Sequence, residues 1–192
     1  MTSAKSTRSD AVNNRERILS VARDAFGSST GASLTAIAKQ AGVGIGTLYR
    51  HFPNRESLIV ALYRHHIQEV IDLAPTLAAT RPALPALRAW LAEVARYGQL
   101  KYGAAEVIHA ATNDAEYYQP FVDAIATLLD AGAAEGTLKT GVDPEDVLSL
   151  LGVLWRIDPA RAGTAGRVER ILELIVDGLR APVRRESVGG NG

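Results

Sequence analysis

A chain of 192 residues with 47 % hydrophobic side chains has enough apolar material for a packed core and is not disordered as a whole. The absence of cysteine excludes a disulfide framework and a thiolate metal site, and suits a cytoplasmic protein. Basic and acidic residues balance at 21 each, yet residues 1–55 hold eight basic and three acidic groups, and the rest of the chain is acidic by the same margin. A basic N-terminal segment on an acidic body fits a protein with one polyanion-binding end. Met1 to Asp10 lack the apolar run of a secretory signal, and stretches such as Leu148–Trp155 are too short to cross a bilayer, so no membrane association is expected.

In chain order, residues 1–12 are rich in Ser, Thr and charge and read as a disordered tail. Asn13 suits a helix N-cap, with Glu16 answering it in a capping box, and Ile18, Ala22, Ala25 and Phe26 follow at helical spacing to about Gly27. A polar turn from Ser28 to Gly31 leads to Ser33, which caps a short helix from Leu34 to Gln40. Ala41-Gly42 closes that helix, because glycine suits the left-handed conformation at a helix end. A third helix runs from about Ile45 to Phe52 and stops at Pro53; Asn54 then caps a fourth through about Leu73, with Leu58, Leu62, Ile67 and Ile71 on its buried side. Pro75, Pro82 and Pro85 punctuate its exit.

A helix from about Leu84 to Tyr102 carries Leu87, Trp90, Leu91, Val94 and Tyr97, and is followed by a short helix near Ala104–Ala111 and another over Glu116–Ala133. Gly136 and Gly141 mark a break. Asp143, with Pro144 at the first helical position and Asp146 behind it, starts a helix to about Arg156. The last helix covers about Thr164–Arg180, and residues 183–192 read as a second disordered tail. No segment alternates as a half-buried strand does, so the fold class is all-α with about nine helices.

The informative stretch is Leu34 to Phe52. Leu34, Ile37, Ala38 and Ala41 give the second helix an apolar face, Gly42 makes the tight turn, Val43 plugs the angle, and Leu48 with Phe52 bury the inner face of the third helix. Gly44, Ile45, Gly46, Thr47, Tyr49, Arg50 and His51 are left for the outer face. Helix, short glycine-bearing turn, helix is the grammar of a helix-turn-helix, whose second helix enters the DNA major groove. From Leu34 to Leu62, through Ile37-Ala38, Ala41-Gly42-Val43, Gly46 to Phe52 and Asn54 to Leu58, the chain resembles the tetracycline-repressor (TetR) family. The specific part spans about residues 13–63; the rest is similar in length, helicity and helix order.

The resemblance implies a homodimer that binds a palindromic operator in double-stranded DNA, with residues 13–56 as a three-helix DNA-binding domain and 57–182 as a helical ligand-binding and dimerisation domain. A small-molecule effector usually releases the DNA in such repressors, and no cofactor is implied. Position by position, it implies that Ser33 caps the helix abutting the DNA backbone and that Thr35 lies near phosphate or base. Gly44, Ile45, Gly46 and Thr47 become the groove-facing start of the recognition helix, and Tyr49, His51 and Arg55 become phosphate contacts. The sequence departs from the family at Gly44 and Ile45, where serine and a polar residue are frequent. Hydrogen-bond readout there is weak. Ile45 could touch a thymine methyl, and specificity would shift toward Thr47, Arg50 and DNA shape.

Two other classes compete with this reading. Gly27-Ser28-Ser29-Thr30-Gly31 fits G-x-S-x-G, but that nucleophile elbow needs a preceding strand and a sheet, so no catalytic residue is expected. The glycine and isoleucine at 44 and 45 are the only hint of an interaction module without DNA binding. His65 and His66 point in different directions on a helix, and with Glu69 alone nearby they make a poor metal site. Trp90, Val94, Tyr97, Tyr102, His109, Asn113, Tyr117 and Phe121 mix aromatic and polar groups on the middle helices, as an apolar effector pocket requires. Leu151, Leu154, Trp155, Val168, Ile171, Leu172, Ile175 and Leu179 carry more apolar surface than one core needs. The resemblance assigns these last two helices to a dimeric four-helix bundle.

Overall fold

A computed structural model describes residues 3–28, 32–102, 108, 115–158, 161 and 166–182. Among them are eight α-helices: α1 (Ser3–Ser28), α2 (Leu34–Gln40), α3 (Ile45–His51), α4 (Arg55–Thr80), α5 (Ala83–Tyr102), α6 (Ala115–Ala134), α7 (Pro144–Leu151) and α8 (Arg167–Leu179). A 3-10 turn at Leu154–Arg156 follows α7. The described residues contain no strand, only one isolated antiparallel bridge between Leu138 and Arg180. No described helix is long and apolar enough to cross a membrane.

Several boundaries differ from the sequence reading. The first helix begins at Ser3, so the described part of the expected tail 1–12 is helical and Asn13 lies inside the helix. No glycine or proline precedes Gly27 to stop it, and asparagine costs a helix interior only about 0.7 kcal/mol. Helix α4 continues through Pro75 to Thr80. Pro75 is exposed, and the buried Ala74 and Leu77 beside it hold the helix together across the one backbone bond that proline removes. Helix α7 stops at Leu151 with Gly152 as its cap, rather than running to Arg156. The expected short helix at Ala104–Ala111, apart from Ile108, and the C-terminal tail at 183–192 lie outside the described residues.

Two hydrophobic clusters share α4. The N-terminal one joins Ile18, Leu19 and Ala22 of α1 to Ile37 and Ala38 of α2, Leu48 of α3, Phe52, and Leu58 and Leu62 of α4. The C-terminal one starts at Tyr63 and takes in Ile67, Val70 and Leu77, then Leu87, Trp90 and Leu91 of α5, Phe121, Ile125 and Leu128 of α6, Leu151 of α7 and Val176 of α8. The expected division after residue 56 therefore cuts through a helix whose first turns belong to the N-terminal unit.

Helix ends are tied to one another. The Ala83 N–H at the start of α5 donates to both carboxylate oxygens of Glu135, at 3.0 and 2.9 Å, which serves as a cap supplied from the far end of α6. Lys139 N–H donates to Leu179 O at 2.9 Å and Ala181 N–H to Thr137 O at 3.0 Å, which seats the end of α8 on the loop after α6. Gly132 permits that seating. A Cβ there would overlap the buried Leu138 side chain, lying 2.8 Å from its Cβ. Gly132→Ala is expected to destabilise the fold by about 1–3 kcal/mol by overpacking, although alanine is the better helix former. Urea denaturation checks this, and a stabilised variant would refute it.

Candidate nucleic-acid interface

Local chemistry builds the α2–α3 unit. Ser33 is extended (φ −82°, ψ 147°), and its Oγ accepts from Ala36 N–H at 3.2 Å, satisfying a donor that the helix start leaves open. At the other end Val43 N–H donates to Ala38 O and Gly42 N–H to Lys39 O, with Gly42 at φ +65°. This pair of bonds is a Schellman closure, and it needs a residue without a Cβ at the left-handed position. Gly44 then begins α3 without a side-chain cap, its carbonyl accepting from Thr47 and Leu48. Asn54 and Ser57 cap α4 reciprocally, at 2.8 and 3.2 Å.

Leu48 and Phe52 turn fully inward. Ile45 and Tyr49, one turn apart, share a flank of α3 beside that buried side, where they are 41 % and 48 % exposed despite their size. Gly44, Gly46 and Arg50 are exposed beside them, and Thr47 and His51 are half-buried at the edges. On α2, Ser33, Thr35 and Lys39 are exposed as well. The sequence-derived set is thus exposed or half-buried throughout, with one exception of role. Arg55 is half-buried; its Nη1 donates to the Ala32 carbonyl at 2.5 Å and its guanidinium lies 4.6 Å from the centre of the Phe26 ring. It holds the α1–α2 connection onto α4, a tie that periodicity does not reveal. Arg15 of α1, also unforeseen, lies 5.6 Å from the Phe52 ring centre.

The C-terminal candidates divide. Trp90, Val94 and Phe121 are buried members of the C-terminal core. Trp90 commits its single donor to the Val70 carbonyl at 2.8 Å, and its ring meets Phe121 at 5.2 Å and 55°. Tyr117 is half-buried at the start of α6, its phenol pushed up by burial and by Glu116. Tyr97 and Tyr102 lie on α5 with side chains outside the described set, and His109 and Asn113 lie outside the described residues.

The expected dimer residues also need correction. Leu151 and Leu154, at 0 % and 3 % exposure, serve this subunit's own core. Val147, Leu151 and Leu154 share one side at helical spacing and Leu150 with Val153 another, so the apolar residues chosen from the sequence are those packed inside the subunit. Leu150, Val153 and Leu174 are the exposed apolar residues, at 52 %, 50 % and 72 %. With Ile171, Ile175, Gly178 and Leu179 they line a groove of about 390 Å³. Val168 and Leu172 are half-buried nearby, and the Trp155 side chain is outside the described set.

Comparison with known proteins agrees with this geometry. A profile described as "Bacterial regulatory proteins, tetR family" matches residues 18–62, ending where the N-terminal cluster ends. A second, "Transcriptional regulator SbtR-like, C-terminal domain", matches residues 82–181. A TetR transcriptional regulator of Streptomyces coelicolor is 36 % identical, with 87 % of this chain and 98 % of that one covered and a TM-score of 0.72. A TetR regulatory protein of Mycobacterium vanbaalenii is 31 % identical over 91 % of this chain and 99 % of that one, with a TM-score of 0.69. An HTH-type transcriptional regulator of Staphylococcus aureus is 43 % identical over 53 residues, which span 27 % of this chain and 29 % of that relative's length. These matches, together with the capped, glycine-closed helix-turn-helix, place the chain in the TetR family of DNA-binding transcriptional regulators, which is not a family of enzymes.

Proposed function

We propose that the protein is a dimeric repressor that binds a palindromic operator and is released from it by a small molecule. The observation that supports DNA reading best is the outer face of α3, where Ile45, Tyr49 and Arg50 are exposed while Leu48 and Phe52 fill the core behind them. A Cβ at Gly46 would meet nothing within 4 Å, so the chain's own packing does not call for glycine there. Close approach of a DNA backbone gives a reason for it. Two copies joined along the α7–α8 groove would present two such helices to successive major grooves. The effector is expected in the C-terminal unit, which the profile for the C-terminal domain of a transcriptional regulator matches over residues 82–181.

The test is fluorescence anisotropy with duplex DNA flanking the protein's own coding region. Binding is expected to weaken about a thousandfold or more between roughly 50 and 200 mM salt, as phosphate contacts from both subunits release counterions. Arg50→Ala is expected to cost about 1–3 kcal/mol of binding if it reads a base, or to lower the salt slope by about one if it holds a phosphate. Its melting temperature should not change, because Arg50 is exposed. A folded protein that binds no such fragment at low salt would sink the reading, and Tyr49→Ala binding as well as wild type would favour a module without DNA recognition. An effector is found by thermal shift, since a ligand of the folded state stabilises it in proportion to the logarithm of its concentration.

A further inference from the structure

The two hydrophobic clusters meet along α4 between Leu62 and Tyr63, and a polar contact crosses that boundary. Arg23 neighbours Ala22 of the N-terminal cluster, and Glu69 neighbours Val70 of the C-terminal one. Arg23 Nη2 donates to both oxygens of Glu69, at 2.9 and 3.1 Å. From its own helix, the same carboxylate is met by His65 Nε2 at 3.3 Å and by His66 Nδ1 at 3.3 Å. Burial raises the Glu69 carboxyl, but the charge and hydrogen bonds of Arg23 and the two histidines outweigh it and hold the group below its ordinary range. An ionised carboxylate only accepts, so His66 Nδ1 carries the proton that points at it. His66 is 4 % exposed, which lowers its pKa; Glu69 and, from α5, Glu93 oppose that shift, while Arg23 adds to it. A group set in the C-terminal core thus aims Glu69 at a cation of the N-terminal unit.

We propose that Arg23 and Glu69 form a positioning clamp that fixes the angle of the DNA-binding unit on the C-terminal unit, and through it the spacing of the two reading heads in the dimer. The inference rests on the dimeric, palindrome-reading function proposed above. Apolar contacts between α1 and α4 are non-directional and let one helix roll on the other. A carboxylate held from both sides is directional. The pair is about a third exposed on the arginine side and more on the glutamate side, so it adds little to stability and its consequence is orientation.

The experiment uses the full-length protein and an operator recovered by selection from random duplexes. Affinity is measured for that operator, for fragments with the half-sites moved closer or farther apart, and for a single half-site. Arg23→Gln and Glu69→Gln are each expected to reduce the preference for the selected spacing about tenfold, with half-site affinity and melting temperature kept. Arg23→Lys, which retains the charge, should keep most of the preference. Unchanged preference in both glutamine variants would overturn the clamp. So would a uniform loss on every fragment accompanied by a lower melting temperature, since that marks a merely structural pair. A wild-type protein that selects no palindrome overturns the function beneath the proposal, and this is seen before any variant is made.

Discussion

Trp90→Ala is expected to cost about 3–5 kcal/mol and to lower the melting temperature by roughly 6–20 °C. Trp90 is fully buried in the C-terminal cluster, so truncation removes its transfer free energy and leaves a cavity beside Phe121 of α6 and the Val70 carbonyl of α4, both fixed on helices. The tilted pairing with Phe121 at 5.2 Å adds about 0.5–1.5 kcal/mol beyond area alone. The hydrogen bond to Val70 O is the smaller part, because a mid-helix carbonyl still has its backbone donor when the indole is gone. Trp90→Phe separates the two effects: it keeps most of the apolar volume and is expected to cost about 1–2 kcal/mol. Calorimetry on the three proteins checks the order, and an alanine variant melting within about 2 °C of wild type would mean that the site relaxes far more than a packed interior does.

Trp90 also shows where sequence reasoning reaches and where it stops. Ser33, Gly42 and Asn54 were legible because each acts on backbone groups within a few residues: a hydroxyl or amide facing an open N–H, or a missing Cβ at a left-handed position. The outer face of α3 followed in part: with Leu48 inward, helical geometry turns Gly46 and Arg50 away from the core, whereas Ile45 lies at i, i+3 to Leu48 and its exposure is decided by tertiary packing. Trp90 and Phe121 read equally well as pocket or core. Only the approach of α6 to α5 decides, and no local pattern encodes that approach. Pro75 and Gly152 misled in opposite directions. The proline was overruled by buried neighbours, whereas the glycine ended a helix whose apolar run continues into Val153 and Leu154. Arg23 and Glu69 lie 46 positions apart, and Arg55 reaches back 23 to Ala32, separations at which charge in the sequence carries no sign of pairing.

Leu174→Glu is expected to turn the proposed dimer into a folded monomer. Leu174 is 72 % exposed and stands over the groove whose other rim carries Leu150 and Val153, each about half exposed. Covering an exposed leucine is worth about 1.5–3 kcal/mol. In a two-fold interface every substitution enters twice, and each new carboxylate would lose its hydration among apolar side chains. The nearby Arg88 is already paired with Glu173. The combined loss is roughly 4 kcal/mol or more per dimer, a rise in its dissociation constant of about a thousandfold. The monomer itself should keep its melting behaviour, because an exposed position contributes within about 0.5 kcal/mol to the fold. Sedimentation over a concentration series reads the assembly directly, and operator binding should fall to the level of a single half-site. Leu151→Glu is the decisive contrast. Leu151 is adjacent to Leu150 in sequence but fully buried in its own subunit, so its substitution should unfold the C-terminal unit rather than dissociate it. Dissociation with folding kept in Leu151→Glu, or an intact dimer in Leu174→Glu, would show that the copies meet on another face.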